Sequence, residues 1–267
     1  MTFSYTAPAD GLGHALALAE AEVLDQYGVS VSVRSKAKTL RKFGHRDDLG
    51  TSLAEIAHLP ALFETMVSAN SIDTVSSASG SDTNAVRIEG HTISGSDLTF
   101  VVQDATLAGQ AKVVLSTPLA RMSRMYTLGA VATVGVVYGY EDDTVTAGVP
   151  DTDSKVHITM EPGDQQSDKA ATSLSSTDYW FITGGAAAVL KKTGATVDLI
   201  LQVRQAGGVW RKGAEISVAS TATSTVTYQF DPAIIVPANA DIRVVGVSSA
   251  VATAVTVSLS GYLAAVI

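Results

Sequence analysis

The chain of 267 residues contains no cysteine and few aromatic residues. Without cysteine it can form neither a disulfide framework nor a thiolate metal site. Because small exported proteins often depend on disulfides, this absence favours assembly in a cytoplasm. The N-terminus, MTFSYTAPADG, has neither the basic start nor the apolar stretch of a signal peptide. No apolar run approaches the roughly 18 residues that a spanning helix needs, so we expect a soluble protein that does not enter a membrane.

Charge is also scarce, at 16% of residues, whereas hydrophobic residues make up 46%. The chain therefore has enough apolar material for a core and too little charge for disorder. The formal net charge of −8 argues against whole-chain attraction to nucleic acid or to an anionic membrane. Threonine and valine are frequent in the chain. Both favour pleated, half-buried surfaces, so the composition indicates a β-rich protein.

Residues 1–35 stand apart from the rest of the chain. The stretch DGLGHALALAEAEVLDQYG, residues 10–28, has apolar positions at spacings of three and four. This periodicity predicts a helix, with Asp10 as its N-cap and Gly28 as its terminator. We expect residues 1–35 to form an N-terminal arm with this short helix.

A basic strip, residues 34–46, follows the arm. It holds a third of all lysines and arginines and no acid: Arg34, Lys36, Lys38, Arg41, Lys42 and Arg46. One interpretation is a solvated strand edge, since lysines on edges block unwanted strand pairing. The other is a contact strip for an acidic partner surface. Nucleic acid is disfavoured because aromatic stacking residues are sparse here.

From Ser71 onward, strand-length runs alternate with turn signals about every ten residues, which is typical of sandwiches and barrels. The segment GDQQSDKAATS, residues 163–173, has the composition of a linker. We therefore predict a mainly β chain with two β-sandwich or jelly-roll-like domains behind the arm. The first covers residues 36–163 and the second covers residues 164–267.

The sequence contains no motif of an established catalytic or metal site. It has no GxSxG, HExxH, P-loop or EF-hand pattern. Its five histidines do not fall at metal-ligand spacing within one element. We therefore expect no enzyme activity, no cofactor and no metal. The acidic residues between Glu141 and Asp153 are predicted to form a solvated loop, with a bound cation as the alternative.

Four further residues are candidates for packing between subunits. Trp180 and Trp210 each stand in an apolar run, which predicts packing in the core or between subunits, with a ligand platform as the alternative. Arg121 and Arg124 lie three residues apart in ARMSRMY, so on a strand they would face opposite sides. We expect one of them to pair within its domain and the other to contact a neighbour. Asp241, in VPANADIRV, is expected to accept backbone N–H groups and fix its turn.

Two stretches follow a longer pattern. The first is IDTVSSASGSDTNAVRIEGHT, followed by FVVQDATLAGQAKVVLSTPLARMSRMY, and the second is GVWRKG, followed by YQFDPAIIVPANADIRVVGVSS. Together they span residues from about 70 to 262 and resemble virion structural proteins of tailed bacteriophages. At the TLAG turn the chain has Ala108 where the family pattern has asparagine. The resemblance implies β-sandwich domains assembled on a phage particle and brings no catalytic residue with it.

These observations together predict a non-enzymatic phage virion protein that is assembled in the host cytoplasm and located on the capsid surface. We expect a decoration or cement protein that clamps subunits of the major capsid protein or other virion proteins. A homo-oligomer, with a trimer favoured, suits a symmetric shell. The basic strip is the predicted shell contact, and deletion of residues 1–46 is expected to abolish shell binding but leave the second sandwich folded. The alternatives are a head–tail connector, a tail or fibre component, or a spike domain that binds host glycans.

Overall fold

The computed structural model describes residues 38–59, 69–190, 194–220 and 223–265. The predicted N-terminal arm and its helix lie outside the described residues, as do Arg34 and Lys36. The described residues form strands joined by turns, with a short 3-10 turn at Asp153–Lys155. The prediction of a mainly β chain is therefore confirmed. None of the described segments is a helix of the length and apolarity that would cross a membrane.

Eighteen strands are described. They are β1 (Lys38–Leu49), β2 (Ala54–Glu55), β3 (Ile72–Ser77), β4 (Ala85–Ser94), β5 (Asp97–Thr106), β6 (Val113–Leu119), β7 (Arg121–Thr127), β8 (Val137–Glu141), β9 (Val145–Thr146), β10 (Val149–Pro150), β11 (Val156–Met160), β12 (Ala171–Ser173), β13 (Asp178–Leu190), β14 (Ala195–Gln205), β15 (Arg211–Ser220), β16 (Thr223–Val236), β17 (Ala240–Ser248) and β18 (Thr253–Ala265).

Two of the sheets form the N-terminal sheet pair. One has the strand order β11–β8–β3–β6 and the other has the order β5–β4–β7. Both sheets are antiparallel, and their facing sides enclose a hydrophobic cluster that includes Ile72, Ile88, Met122 and Ile158. Strands β9 and β10 make a separate two-stranded ribbon. This arrangement agrees with the sandwich that the strand spacing predicted.

Two further sheets form the C-terminal sheet pair. The β13 sheet has the order β1–β18–β13–β16, and the β14 sheet has the order β12–β17–β14–β15, with β2 also paired to β17. Their shared core includes Trp180, Val257, Leu199 and Val244. The alternation of β18 explains this burial, because Val255, Val257 and Leu259 are apolar and turn inward, whereas Thr256 and Ser258 between them turn outward.

Strands β1 and β2 pair with strands from the C-terminal part of the chain. β1 pairs with β18 from Lys38 opposite Leu263 to Leu49 opposite Thr253, and β2 pairs with β17. Strands at residues 38–55 are therefore hydrogen-bonded to the C-terminal series, although the predicted first domain begins at residue 36. The boundary itself stays a prediction. Sequence patterning identifies a segment as a strand but does not identify its partner strand, which is why the grouping was not visible.

Candidate functional site

Charged side chains are buried where the two sheet pairs meet. We call this region the joint and define it by Arg121, Asp241, Lys42, Lys169 and His91, all of which are buried. Arg121 and His91 belong to the N-terminal pair, Lys42 and Asp241 belong to the C-terminal pair, and Lys169 lies in the connection between β11 and β12. Because buried charges are costly unless they are paired, the partners of each group define what the joint can do.

The centre of the joint is an ion pair between Arg121 and Asp241. Arg121 donates from Nε to Oδ1 at 2.8 Å and from Nη2 to Oδ2 at 2.9 Å. The side chains are 2% and 0% exposed. Asp241 also accepts hydrogen bonds from Arg204 Nε at 3.0 Å and from Ser173 Oγ at 2.6 Å. The carboxylate thus ties β7 of one sheet pair to β17, β14 and β12 of the other.

The surroundings of Asp241 favour its ionised form. Burial alone would raise the pKa of this carboxyl, but the hydrogen bonds and charge of Arg121 outweigh burial, with help from Ser173 and Arg204. The pKa of Asp241 therefore lies below its usual range. The sequence assigned Asp241 to its own turn through backbone N–H groups, whereas the structure shows three side-chain partners from distant elements.

Two buried lysines reinforce the joint through backbone carbonyl groups. Lys42 Nζ donates to the Ser123 carbonyl at 2.6 Å, and Lys169 Nζ donates to the carbonyls of Met122 and His157, both at 3.0 Å. Burial, with the charge of Lys169 nearby, lowers the pKa of Lys42 to about 7. Burial likewise lowers the pKa of Lys169 to about 8. Both amines are therefore used within the chain, to hold β7 in place.

A cleft of about 650 Å³ opens beside the joint, with Leu40, Phe100 and Leu263 among its walls. His91 lines it, and burial lowers the pKa of this histidine to about 4. The ring is therefore neutral at physiological pH. Its centroid lies 5.3 Å from that of Phe100, and its Nδ1 has no hydrogen-bond partner among the described residues. The cleft therefore combines apolar walls with the charged groups of the joint.

The structure divides the described part of the basic strip into two kinds of residue. Lys42 is buried in the joint, and Arg46 is half-buried, with Nη1 donating to the carbonyls of Glu55 at 3.4 Å and Ala57 at 3.3 Å. Lys38 and Arg41 are exposed. The alternation of β1 separates Lys42, which turns inward, from its neighbour Arg41, which turns outward, and Lys38 is exposed at the start of the strand. A contact role for the strip stays a prediction, and among the described residues it rests on Lys38 and Arg41.

The four candidates for packing between subunits lie in different environments. Trp180 is 0% exposed in the core of the C-terminal pair, so it offers no surface to a second subunit. Trp210 is half-buried, with the guanidinium groups of Arg204 and Arg243 at 4.4 Å and 4.1 Å from its ring centroid. Arg121 makes its contacts inside the chain. Arg124 is 43% exposed and donates to Gln166 Oε1 at 2.9 Å, so its contact with a neighbour stays a prediction.

The acidic loop is held by lysines. Asp142 accepts a hydrogen bond from Lys112 Nζ at 2.7 Å, and Asp143 accepts one from Lys155 Nζ at 3.2 Å and one from the Thr152 backbone N–H at 2.7 Å. These partners hold the pKa of both carboxyls below the usual range, although burial opposes the shift at Asp143. Over the described residues, no three histidine, aspartate or glutamate side chains gather as a metal ion would require.

Sequence reasoning did not identify Lys169, His91 or Asp82 as structural centres. Asp82, in the SGSD turn, accepts hydrogen bonds from Ser77 Oγ at 2.5 Å and from the backbone N–H groups of Val134 and Gly135 at 2.8 and 2.9 Å. The sequence feature that could have identified Asp82 is its position in a turn that precedes a strand. Turn residues whose side chains bind backbone are common, but which backbone they bind depends on the fold.

The fold is thus a mainly β one, built from paired antiparallel sheets around a buried charged joint. No protein-family model matches the chain, and no curated protein matches it either.

Solved structures match only weakly. One match is the structure of the Gx strain of infectious bursal disease virus. It aligns with a TM-score of 0.25 and 10% sequence identity, and the alignment covers 86% of this chain and 72% of the viral chain. The VP2 subviral particle of the same virus has a TM-score of 0.23 and 12% identity, over 85% and 72%. The N-terminal CBM22 tandem domain of Paenibacillus barcinonensis Xyn10C has a TM-score of 0.21 and 9% identity, over 84% and 93%. At these values the similarity establishes neither a common fold nor a common function.

Proposed function

We propose that the chain is a non-enzymatic structural component of a phage virion, of the decoration or cement kind. In this role it stabilises the head by contacting neighbouring subunits of the major capsid protein. The observation that carries the proposal is that the two phage-like stretches meet in space. Arg121 of TPLARMSRMY and Asp241 of VPANADIRV form the buried ion pair at the joint. The resemblance therefore coincides with the element that fixes the two sheet pairs together.

The chemistry of the joint suits a protein that works by contact. Arg121, Asp241, Lys42 and Lys169 are all bonded to groups of the same chain, and both lysine amines are taken up by backbone carbonyls. Groups held in this way position sheets and do not present a reactive atom to a substrate. A rigid two-part body preserves the shape of its outer faces, which is what repeated contacts to a symmetric shell require.

The tryptophans weigh against the alternative of a glycan-binding spike. That alternative expected Trp180 and Trp210 to be exposed together, but Trp180 is buried in the core. Trp210 is half-buried and flanked by the guanidinium groups of Arg204 and Arg243. The head–tail connector remains the main competing role. It predicts the same kind of protein in a much lower copy number.

Copy number per particle tests the proposal directly. Quantitative mass spectrometry of purified virions, with the major capsid protein as the internal reference, is expected to find hundreds of copies. A dozen copies or fewer would move the chain to the neck or tail, and no copies would remove the virion role altogether.

A deletion experiment tests the shell contact, and the structure changes its design. Deleting residues 1–46 would remove most of β1, which is hydrogen-bonded to β18 along its length, so loss of binding could reflect a damaged sheet. The deletion is better ended at residue 37. A second variant, Lys38→Glu with Arg41→Glu, tests the exposed part of the basic strip. Arg211→Glu, at an exposed position of β15, is the matched control.

The expected outcome is that both variants co-sediment with shells at least tenfold more weakly than the unmodified chain, whereas Arg211→Glu binds normally. If both variants bind as well as the unmodified chain, the shell contact lies elsewhere.

A further inference from the structure

The outward side of the β13 sheet is a broad face on which strands β13, β16 and β18 present many small, uncharged side chains. The strand register aligns outward residues in rows across the four strands, such as Phe43, Ser258, Ala186 and Thr227. The next row is formed by His45, Thr256, Ala188 and Thr225. The serine, alanine and threonine side chains in these rows are small and allow another surface to approach the sheet closely.

Three of the four strands of this face lack the charges that a solvated sheet normally carries, whereas the edge strand β1 carries the exposed Arg41. Strands β13, β16 and β18 have 13, 14 and 13 residues, and their only charged residues are Asp178 and Asp231. Charged residues are 16% of the whole chain, so these strands are depleted. Large apolar side chains are exposed in them, with Ile235 at 58% and Leu190 at 57%. Depletion of charge beside exposed apolar groups is typical of an interaction surface.

The outward side of the neighbouring β14 sheet provides an internal comparison. Its equivalent positions include Asp198, Glu215 and Arg243, with Asp198 accepting a hydrogen bond from Ser217 and Arg243 donating to Gln202 at 3.0 Å. That face carries a charged side chain on each of β14, β15 and β17, although Val245 of the same face is buried. The difference between the two faces therefore belongs to the β13 sheet and is not a general property of this acidic, threonine-rich chain.

The size of the face matches a stable protein contact. Four strands spaced about 4.8 Å apart give a width of about 19 Å, and the run from Tyr179 to Leu190 at about 3.3 Å per residue gives a length of about 40 Å. The product is roughly 760 Å², close to the roughly 800 Å² that each partner buries in a standard interface. The face is not flat, because it contains a depression of about 720 Å³ beside Gly184 and Ser260.

We propose that this face is the contact between two copies of the chain, packed sheet against sheet. Each copy carries a net charge of −8, so copies repel except where a neutral surface lets them approach. A twofold axis along the strands would set β1 of one copy against β16 of the other. This arrangement brings the exposed Arg41 on one edge toward the exposed Asp231 region on the partner's opposite edge, which adds complementary charge at the rim.

The proposal concerns the purified chain alone and does not depend on a virion role. It also differs from the trimer expected from the sequence, because a face-to-face pair is a dimer contact. One measurement separates the two: the molar mass of the full-length chain by size-exclusion chromatography with light scattering, over a range of concentrations. A mass of two chains is expected.

The key variant is Thr227→Lys, which adds a charge at an exposed position of the edge strand β16. Its matched control is Ala219→Lys, which adds the same charge at an exposed position of β15, an edge strand of the other sheet. Thr227→Lys is expected to raise the dimer Kd about a hundredfold, because two desolvated lysines lack partners, whereas Ala219→Lys leaves it unchanged. Ala188→Arg, on the inner strand β13 of the face, serves as a second variant. Circular dichroism melting verifies that each variant is folded.

Three results would overturn the proposal. The first is an unmodified chain with the mass of one copy, which would mean that another partner or nothing covers the face. The second is a mass of three copies. The third is a dimer that folded Thr227→Lys and Ala188→Arg variants leave intact.

Discussion

Replacing Asp241 with asparagine tests whether the buried ion pair holds the two sheet pairs together. The Asp241→Asn side chain keeps nearly the same shape but loses the charge that lies between Arg121 and Arg204. One carboxylate oxygen becomes an amide nitrogen, which faces donors that it cannot satisfy. Arg121 then loses the Asp241 carboxylate, which accepts two of its hydrogen bonds at 2.8 and 2.9 Å. Removing one member of a buried ion pair costs about 3–5 kcal/mol, a large part of the roughly 5–15 kcal/mol that stabilises a typical domain.

Equilibrium unfolding in urea, followed by tryptophan fluorescence, measures this loss. The matched control is Asp104→Asn. Asp104 pairs with Arg87 in the same bidentate geometry, at 2.7 and 2.9 Å, but these side chains are 45% and 38% exposed. Solvent screens that pair, so its loss should shift the unfolding midpoint far less. If Asp241→Asn and Asp104→Asn lower stability equally, burial does not set the strength of the joint and the reasoning is wrong.

The contribution of Asp241 also has a defined pH dependence. Because the folded-state pKa lies below the unfolded value of about 3.9, the contribution is present above that value and is lost as pH falls through the folded pKa. The stability gap between the unmodified chain and Asp241→Asn should therefore be constant above about pH 5 and narrow in stronger acid. A gap that is unchanged at pH 3 would indicate that the variant acts through packing and not through charge.

Two further predictions concern single residues. The pKa of Lys42 is about 7 in the folded chain, and its ordinary pKa is 10.5. Between these two pH values the unfolded chain binds one more proton than the folded chain. The free energy of unfolding should therefore rise with pH over this range. Lys42→Met should flatten this rise in urea titrations at pH 7, 8 and 9, and an unchanged slope would contradict the assignment. At Gly185 a Cβ would overlap the Ser258 carbonyl oxygen, whereas at Gly213 the nearest atom is 3.6 Å away. Gly185→Ala should therefore destabilise the chain by about 1–3 kcal/mol, whereas Gly213→Ala should be neutral or slightly stabilising. Thermal melts measure both variants. A lower melting temperature for Gly213→Ala than for Gly185→Ala would refute the packing argument.

Local pattern was sufficient for the features that depend on neighbouring residues. The strand-length runs predicted from Ser71 onward include the segment that forms β18, and the structure shows that its Val255 and Val257 turn inward. The TLAG turn was visible because glycine is favoured where the backbone turns left-handed, and Gly109 has a φ of 63° there. The low charge and the missing catalytic motifs led to the expectation of a protein that acts by contact. Each of these inferences uses residues only a few positions apart.

The joint was invisible to that reasoning. Arg121 and Asp241 lie 120 residues apart, and nothing in either motif specifies the other as its partner. The basic strip was treated as one surface, although the pleat of β1 turns Lys42 inward and leaves Arg41 outside.

The sequence by itself therefore determined that the chain is β-rich, acidic and poor in reactive groups, because composition and alternation fix burial one strand at a time. Only the tertiary structure decided which strands pair, which charges are buried together and which sheet face is poor in charge and exposed. The physical reason is that these outcomes depend on how distant segments close against one another, and that free energy is not encoded in any single segment.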